Sequence, residues 1–573
     1  MVQLIKKHWI IMFFILMIGT LLRIVWLDRI PSAIGGDELT YILEAKSIAV
    51  TGKDLTGTWN PLSVLLFKYP PDELQAELPY LINVPVVGMM QFSLLSARLT
   101  SAILSVLTLL GLYLLVREFF NTRVAVATGL VAAINPWGIY IGRTAYDMVP
   151  AVCFYLWAMY IMLARKGKYL LWSLPLFMLA FYSYIGTKII LLPIVFITCV
   201  YVLKTFPDRR NKKNIIILFL TIIIFLSFFV YSLSVAKGST RLSEIIQVND
   251  PVISQTVDSM RRVSIRSPLV DVYVNKYTIM SSIIITKLLK TLSFNFLFVY
   301  GDTFYSIYTH GLFYFIDALF LLVGIIMMFI RYKRKMLYIC MFTAVGTIPH
   351  LIHGASTEDF TPHLVMMFPF LLMFIGFGIN EIIQESLPKY RKYVLCIVVI
   401  AYGLSLGNFL QVYWFQHPLF GHFDFSLRTM SKYLQIQKKD QTIIVYSPRT
   451  IDIYKKYLFY SNSIQKENMS AIRQALASNN IQINHISFLG CDRNVIIPPN
   501  TTVVYYSGCG SLSVTDEFLK ITRLKDGGEE FRIYNDTQCV QYQLKPYPEK
   551  FIMKDLDIEH LSAQAFCETY VAR

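Results

Sequence analysis

Apolar and polar positions along this chain fall into long blocks rather than the short alternations of a soluble fold. Eleven apolar segments approach the length that crosses a bilayer, near residues 9 to 28, 96 to 116, 124 to 141, 148 to 164, 169 to 184, 187 to 203, 214 to 235, 312 to 330, 336 to 352, 363 to 383 and 393 to 413. The fifth and sixth are short and meet at Tyr184-Ile-Gly-Thr-Lys188, which predicts either a tight hairpin or partly broken helices. Three more polar stretches remain: a loop from about Asp28 to Arg98, a second from Lys237 to about Gly311, and the region 414 to 573. Within the second, Tyr277 to Leu292 is amphipathic and predicts a helix lying in the membrane interface, as a lid or substrate guide. In the third, β-like runs (Gln441 to Tyr446, His485 to Leu489, Thr501 to Tyr506, Phe531 to Tyr534) are interleaved with helix-like ones (Ile451 to Tyr460, Ser470 to Ser478). That pattern predicts a C-terminal α/β domain of a size that folds alone.

Basic clusters orient the spans. Lys6-Lys7, Arg117 with Arg123, Arg165-Lys166 with Lys168, Lys204 to Lys213, Arg331 to Lys335, and Lys389 with Arg391-Lys392 fall on one side if eleven spans alternate. By the positive-inside rule that side is the cytoplasm, so the N-terminus is expected inside and the C-terminus outside. The first segment has a basic start, but it continues through Leu22-Arg23-Ile-Val-Trp26 without a small-residue cleavage site, and is expected to stay as an anchor.

Composition agrees with a polytopic α-helical membrane protein. Of 573 residues 55% are hydrophobic and only 16% charged, with a mean hydropathy of +0.51, more apolar surface than one soluble core hides. The formal charge of +16 does not point to nucleic acid, because Lys and Arg occur as short clusters between apolar runs. Cys153, Cys199, Cys340 and Cys396 lie in apolar segments, whereas Cys491, Cys509, Cys539 and Cys567 lie in the C-terminal region and allow two disulfides in any of three pairings. Walker A, dinucleotide, zinc-protease and serine-hydrolase signatures are missing from the sequence, which removes the usual support for ATP-driven transport or serine hydrolysis.

The candidate chemistry lies at the outer ends of the spans. Asp37-Glu38 follows Gly35-Gly36 and opens a helix-like stretch, a placement that suits a catalytic base and equally an acidic first turn. Asp147, in Gly142-Arg-Thr-Ala-Tyr-Asp147-Met-Val-Pro150, is the second acidic candidate; its plainer reading is a helix cap. Lys188 and then Arg143 are the expected phosphate-binding cations, while Arg98 is expected to snorkel to headgroups. His310, His353 and His363 map to outer span ends, and His353, Glu358 and His363 are weak candidates to hold a divalent metal ion.

Gly36-Asp37-Glu38 after an opening helix, the Arg143 to Pro150 run, Tyr182-Ser-Tyr-Ile-Gly-Thr-Lys188 with Pro193, and Thr361-Pro-His363 leading to Pro369 occur in an order that resembles the GT-C superfamily of membrane glycosyltransferases. Within it the chain is similar to the branch of protein O-mannosyltransferases and bacterial lipid A aminoarabinose transferases, over roughly residues 8 to 413. The resemblance implies a polyprenyl-phosphate sugar as donor and an inverting transfer to an acceptor hydroxyl at the outer membrane face. Asp37 would be the base, Glu38 its neighbour in the acceptor or metal site, and Asp147 the second acidic member. Where relatives carry Arg-Tyr near the final spans this chain has Pro362-His363, so its phosphate contacts are expected to differ. The acceptor is left open among protein, lipid and glycan, and a bacterial plasma membrane is the expected location. The competing readings are a transporter or flippase of lipid-linked saccharide and a non-catalytic envelope assembly protein.

Overall fold

The computed structural model describes all residues except 1, 66–75, 236–250, 303–304, 308–309, 355–359, 421–424, 479–480, 493–496, 511–516 and 547–550. Each of the eleven apolar segments is helical over most of its length, as required where lipid offers no partner for backbone N–H and C=O groups. Among the described residues six helices are long and apolar enough to cross a membrane: Leu94–Phe119, Met148–Gly167, Arg209–Tyr231, Lys333–Ile352, Phe368–Glu385 and Arg391–Leu419. Trp9–Ile24, Thr122–Ile134, Leu170–Ser183 and Leu191–Thr205 are apolar but shorter, so length alone does not give a count of eleven spans. The protein is a multi-pass membrane protein carrying a C-terminal sheet domain.

Local chemistry explains the breaks. The segment expected over 124 to 141 divides into Thr122–Ile134 and Pro136–Ile141, because Asn135 caps the second helix by accepting from the Gly138 N–H at 2.8 Å while Pro136 has no N–H to continue the first. The fifth and sixth segments are broken helices: Ser173–Ser183, a single turn Ile185–Lys188, then Leu191–Thr205. The Phe315–Arg331 and Phe368–Glu385 helices meet at glycines, and a Cβ on Gly324 would lie 2.0 Å from the Phe374 carbonyl oxygen. Arg23 joins the first helix to the bundle, donating to Ser105 Oγ at 2.7 Å and to the Ala133 carbonyl at 3.1 Å.

The C-terminal domain is a seven-stranded mixed sheet: β1 (Thr442–Tyr446), β2 (Ile481–Ile483), β3 (Ile486–Leu489), β4 (Thr501–Tyr506), β5 (Leu519–Thr522), β6 (Glu529–Tyr534) and β7 (Val571–Ala572). Their order is β2-β3-β1-β4-β6-β5-β7, with β1 parallel to β3 and β4 and the remaining pairs antiparallel. The four β-like runs of the sequence are β1, β3, β4 and β6; β2, β5 and β7 are too short to carry a period of their own. Disulfides join Cys491 to Cys509 and Cys539 to Cys567, selecting one of the three pairings.

This domain is not packed as a separate body. Its core is continuous with Ile34, Leu39, Ile42 and Leu43 of the first long loop and with Leu94 and Ala97 at the start of the next helix. Polar ties reinforce the seam: the Ile34 N–H donates to Tyr460 Oη at 3.1 Å, and Arg428 donates from Nη1 to the Ser32 carbonyl at 2.5 Å while its Nε and Nη2 pair with the two carboxylate oxygens of Glu559.

Candidate active site

A cavity of about 430 Å³ opens where the helical bundle meets the sheet domain. Its described wall is built from six places in the chain. The Gly36–Thr51 helix supplies Asp37, Thr40 and Tyr41; the turn before Met148–Gly167 supplies Tyr146 and Asp147; the broken hairpin supplies Tyr184 to Gly186. The second long loop and the segment after Lys333–Ile352 add Tyr305, His353, Phe360, Pro362 and His363. Arg449, Asp452, Lys455 and Lys456 come from the sheet domain.

Adjacent carboxylates at the start of the first-loop helix part company because successive residues project about 100° apart around an α-helix. Asp37 is exposed to the cavity, and Tyr41, one turn later, faces the same way. Glu38 is turned into the protein and is 0% exposed. Its carboxylate pairs with Arg98 at 3.0 Å and accepts from the Ala145 N–H at 2.9 Å and the Gly35 N–H at 3.2 Å. Glu38 therefore does not line the cavity expected of it; it joins the first loop, the Leu94–Phe119 helix and the turn that carries Asp147. Arg98, expected to reach headgroups, is likewise 0% exposed and also donates to the Pro31 and Ala33 carbonyls at 2.7 and 2.6 Å.

Asp147 does reach the cavity, where its carboxylate accepts from the Tyr41 hydroxyl at 2.7 Å. Burial pushes the Asp147 carboxyl up to about 7, the Tyr41 hydrogen bond opposes that rise, and the nearby negative charge of Asp37 adds to it. Tyr41 is pushed well above its ordinary value, first by burial and then by the Asp147 charge. The two acidic sites predicted from separate segments thus share one cavity, with one carboxylate exposed and one held toward its protonated form.

The expected phosphate-binding cations lie elsewhere. Lys188 bonds both carboxylate oxygens of Glu77 at 3.0 Å and sits over the Phe181 and Phe229 rings. Glu77, from the first long loop, is buried, and its pairing with Lys188 draws the cation away from the cavity wall. Arg143 is buried and donates to the Leu22 and Ile30 carbonyls at 3.1 and 3.0 Å, with its guanidinium 5.6 Å from the Tyr413 ring centre. Both residues brace the scaffold in this geometry. The cations that line the cavity are Arg449, Lys455 and Lys456, none of which the sequence reading singled out. A signal was present: Asp452, Lys456 and Tyr460 recur every fourth residue, which places charge on the same face of the Thr450–Tyr460 helix as a buried tyrosine.

His353 and His363 converge, their ring centres 4.4 Å apart, and Gly186 packs against His363 so closely that a Cβ there would lie 3.0 Å from the ring. Glu358, the third expected metal ligand, falls outside the described residues. Among the described residues no group of three or more His, Cys, Asp or Glu side chains is placed to hold a metal ion, and two imidazoles fall short of the three protein ligands of a catalytic zinc site. His310 packs instead on Tyr314 and Phe409. Two buried polar residues missed in the sequence shape this wall. Asp302 accepts from the Thr361 N–H at 2.7 Å and the Tyr305 N–H at 3.2 Å, and Lys287, from the amphipathic helix Lys276–Thr291, donates to the His353 and Gly354 carbonyls at 2.6 and 2.8 Å.

With this arrangement in view, comparison with known proteins is informative in one stretch of the chain. Residues 79–233 match the dolichyl-phosphate-mannose-protein mannosyltransferase family. Over this matched segment, which contains Arg98, Arg143, Asp147 and Lys188 but neither Asp37 nor the sheet domain, the chain resembles the GT-C glycosyltransferases. No curated protein sequence matches. Among solved structures, the archaeal oligosaccharyltransferase AglB from Archaeoglobus fulgidus, in complex with an inhibitory peptide and a dolichol-phosphate, is similar at 13% identity and a TM-score of 0.44 over 80% of this chain. The chain spans 64% of the length of that oligosaccharyltransferase. ArnT from Cupriavidus metallidurans is similar at 12% identity over 92% of this chain and 98% of its own, with a TM-score of 0.47 in the apo state and 0.44 bound to undecaprenyl phosphate.

Proposed function

We propose that this protein is an inverting glycosyltransferase that moves a sugar from a polyprenyl-phosphate donor to an acceptor hydroxyl. The observation that carries the reading is the convergence of Asp37 and Asp147, from segments more than a hundred residues apart, on one cavity beside the membrane helices. The match to the mannosyltransferase family and the absence of a nucleotide-binding signature support it. A lipid-linked sugar phosphate presents its anomeric carbon at the membrane surface, where a cavity between loops and helices holds donor and acceptor together without a nucleotide-binding fold.

In this mechanism the Asp37 carboxylate takes the proton of the acceptor hydroxyl as its oxygen bonds to the anomeric carbon. The bond from that carbon to the phosphate oxygen breaks on the opposite side, inverting the centre, and the electron pair leaves with polyprenyl phosphate. Asp147, held toward its neutral form and bonded to Tyr41, keeps a second full charge away from Asp37 and offers a hydrogen-bonding group to the sugar or acceptor. The proposed setting is the outer face of a bacterial plasma membrane, with the N-terminus inside and the sheet domain outside; the two disulfides suit an oxidising compartment.

The test is release or transfer of labelled sugar from a panel of polyprenyl-phosphate sugars by purified protein, with Asp37→Asn alongside. Turnover by the wild type and its loss in a folded Asp37→Asn variant are expected. Binding without turnover for every donor and acceptor would overturn the proposal in favour of transport or assembly.

A further inference from the structure

The apolar outer surface of the bundle does not stop where its helices end. Along the Phe315–Arg331 helix, Phe315, Leu319, Leu322, Ile326 and Phe329 are exposed at helical spacing, the composition of a face that meets lipid tails. At its first residue this row is joined by Phe294, whose ring centre lies 5.9 Å from that of Phe315. From there exposed apolar side chains run back along one side of the Lys276–Thr291 helix, through Leu292, Leu289 and Ile285 to Tyr277. The same helix is fixed to the end of the bundle where the cavity opens. Its buried Lys287 donates to the carbonyls of His353 and Gly354, and His353 lines the cavity.

Beyond Tyr277 the strip continues onto a helical hairpin. The Pro251–Arg262 helix buries Ile253 and Val257 and packs against Lys276–Thr291, and Arg261 in its last turn donates to the Val274 carbonyl at 2.8 Å. The connection between the two helices includes the short Pro268–Tyr273 helix and presents Val263, Ile265, Leu269, Val272 and Tyr273 outward. Val263 and Ile265 are 85% and 90% exposed, an arrangement that water disfavours and a lipid or protein surface relieves. Charge decides between these. Exposed Arg262 and Arg266 flank the apolar tip, while Asp271 is matched by Arg261 at 3.3 Å. Residues 251 to 292 hold six Lys and Arg against two Asp. An apolar strip continuous with a lipid face, bordered by tyrosines and rimmed by arginine, is the chemistry of a segment lying in a headgroup layer. A lid over the cavity would turn its apolar side chains inward, and none of these lines the described cavity wall.

We infer that this hairpin is a foothold on anionic phospholipid: Val263, Ile265, Leu269 and Tyr273 enter the bilayer interface, and Arg262 and Arg266 bind the phosphates of the surrounding headgroups. Guanidinium and phosphate form charge-assisted hydrogen bonds, while the apolar side chains leave water for the acyl boundary. The contact lays the hairpin along the membrane surface and, through Lys287, sets the His353 side of the cavity mouth at the level of the headgroups. This placement holds whatever group the cavity transfers, and for a transporter equally.

The experiment places a nitroxide at residue 265 through Ile265→Cys, in full-length protein whose cysteines outside the disulfides, Cys153, Cys199, Cys340 and Cys396, are replaced by alanine. The protein is held in nanodiscs of phosphatidylcholine alone or mixed equally with phosphatidylglycerol. Collision of the nitroxide with oxygen, which concentrates in the bilayer, is compared with collision with a water-soluble nickel chelate. Lys525→Cys, exposed in the turn between β5 and β6, is the reference for water. The expected oxygen-to-nickel ratio at residue 265 is at least about fivefold above the reference. It should rise further, by about twofold, with phosphatidylglycerol, and that rise should vanish in the double variant Arg262→Gln and Arg266→Gln. A ratio equal to the reference in both discs puts the tip in water and overturns the inference. Poor collision with both reagents shows the tip packed on protein, as a lid or a partner surface, and overturns it as well. A bilayer-like ratio indifferent to phosphatidylglycerol and to both arginines defeats the assignment of anionic headgroups. Native mass spectrometry of unlabelled protein with its own cysteines keeps the test valid if the alanine background fails to fold: wild type should retain more phosphatidylglycerol than the arginine double variant, and equal retention counts against the foothold.

Discussion

Glu38 and Arg98 form an ion pair sealed inside the protein, Oε1 to Nε 3.0 Å, with both side chains 0% exposed. Glu38 is one residue from Asp37, yet the two carboxylates live in different environments: one braces the scaffold and the other faces the cavity. The contrast sets the first prediction. Glu38→Ala or Arg98→Met should destabilise the protein by roughly 3–5 kcal/mol, because each leaves its partner charged and buried. Asp37→Asn should stay within about 0.5 kcal/mol of wild type, since it changes an exposed side chain, while lowering turnover by about a hundredfold or more. Thermal unfolding in detergent, read beside sugar transfer, separates the two; similar stability loss at both positions would contradict this division.

Asp147 gives a pH signature. Its carboxyl is pushed from an ordinary 3.8 up to about 7, chiefly by burial, so the folded protein holds the proton more tightly than the unfolded chain. The contribution to stability is fully present below 3.8 and is lost as the pH rises through about 7. Asp147→Asn removes this titration while keeping an oxygen for the Tyr41 hydroxyl. Its thermal midpoint relative to wild type should therefore improve steadily between about pH 4 and about pH 7. A difference that does not vary with pH would show that Asp147 titrates normally.

Arg428 holds the sheet domain to the first loop, and the pair has the opposite pH sense. Burial pushes the Glu559 carboxyl up, but the charge and hydrogen bonds of Arg428 outweigh it and hold the carboxyl below its ordinary 4.5. That stabilisation is present above 4.5 and fades as the pH falls through the lowered folded value. Arg428→Met should weaken the seam by about 3 kcal/mol and abolish the acid sensitivity contributed by Glu559. Limited proteolysis of the sheet domain, followed from neutral to acid pH, would register both effects.

Reduction should act on the sheet domain before the helical bundle. Cys491–Cys509 and Cys539–Cys567 close sequence separations of 18 and 28 residues, each worth roughly 3 kcal/mol on the loop-closure argument. Non-reducing peptide mapping should recover these two pairs, and reductant should lower the midpoint of the domain. Recovery of any other pairing would overturn the assignment.

Much of this organisation is legible in the order of residues. Apolar block length and the spacing of basic clusters mark the helical segments, since a membrane enforces helix formation locally and each block carries its own evidence. The β-like runs mark four strands of the sheet, whereas the third segment was expected unbroken over 124 to 141 and only the structure shows its break at Asn135-Pro136. Asp37 and Asp147 could be singled out because carboxylates beside apolar helices are unusual enough to notice one at a time.

What the sequence could not order was partnership. Arg98, Arg143 and Lys188 are all outer-end cations beside apolar runs, expected to meet headgroups or a substrate phosphate, and only the tertiary structure turns them to Glu38, to main-chain carbonyls and to Glu77. The sheet-domain cations were overlooked for the converse reason: Arg449, Lys455 and Lys456 resemble ordinary surface charges until the shared core brings their helix against the one that carries Asp37. The sequence by itself determined a membrane-embedded helical protein with a C-terminal sheet domain and a pair of acidic candidates, because hydrophobicity, helix breaks and strand periods act over neighbouring residues. The tertiary structure decided which charges face the cavity and which brace the scaffold, because that depends on packing between segments far apart in the chain, from 60 residues for Glu38 and Arg98 upward.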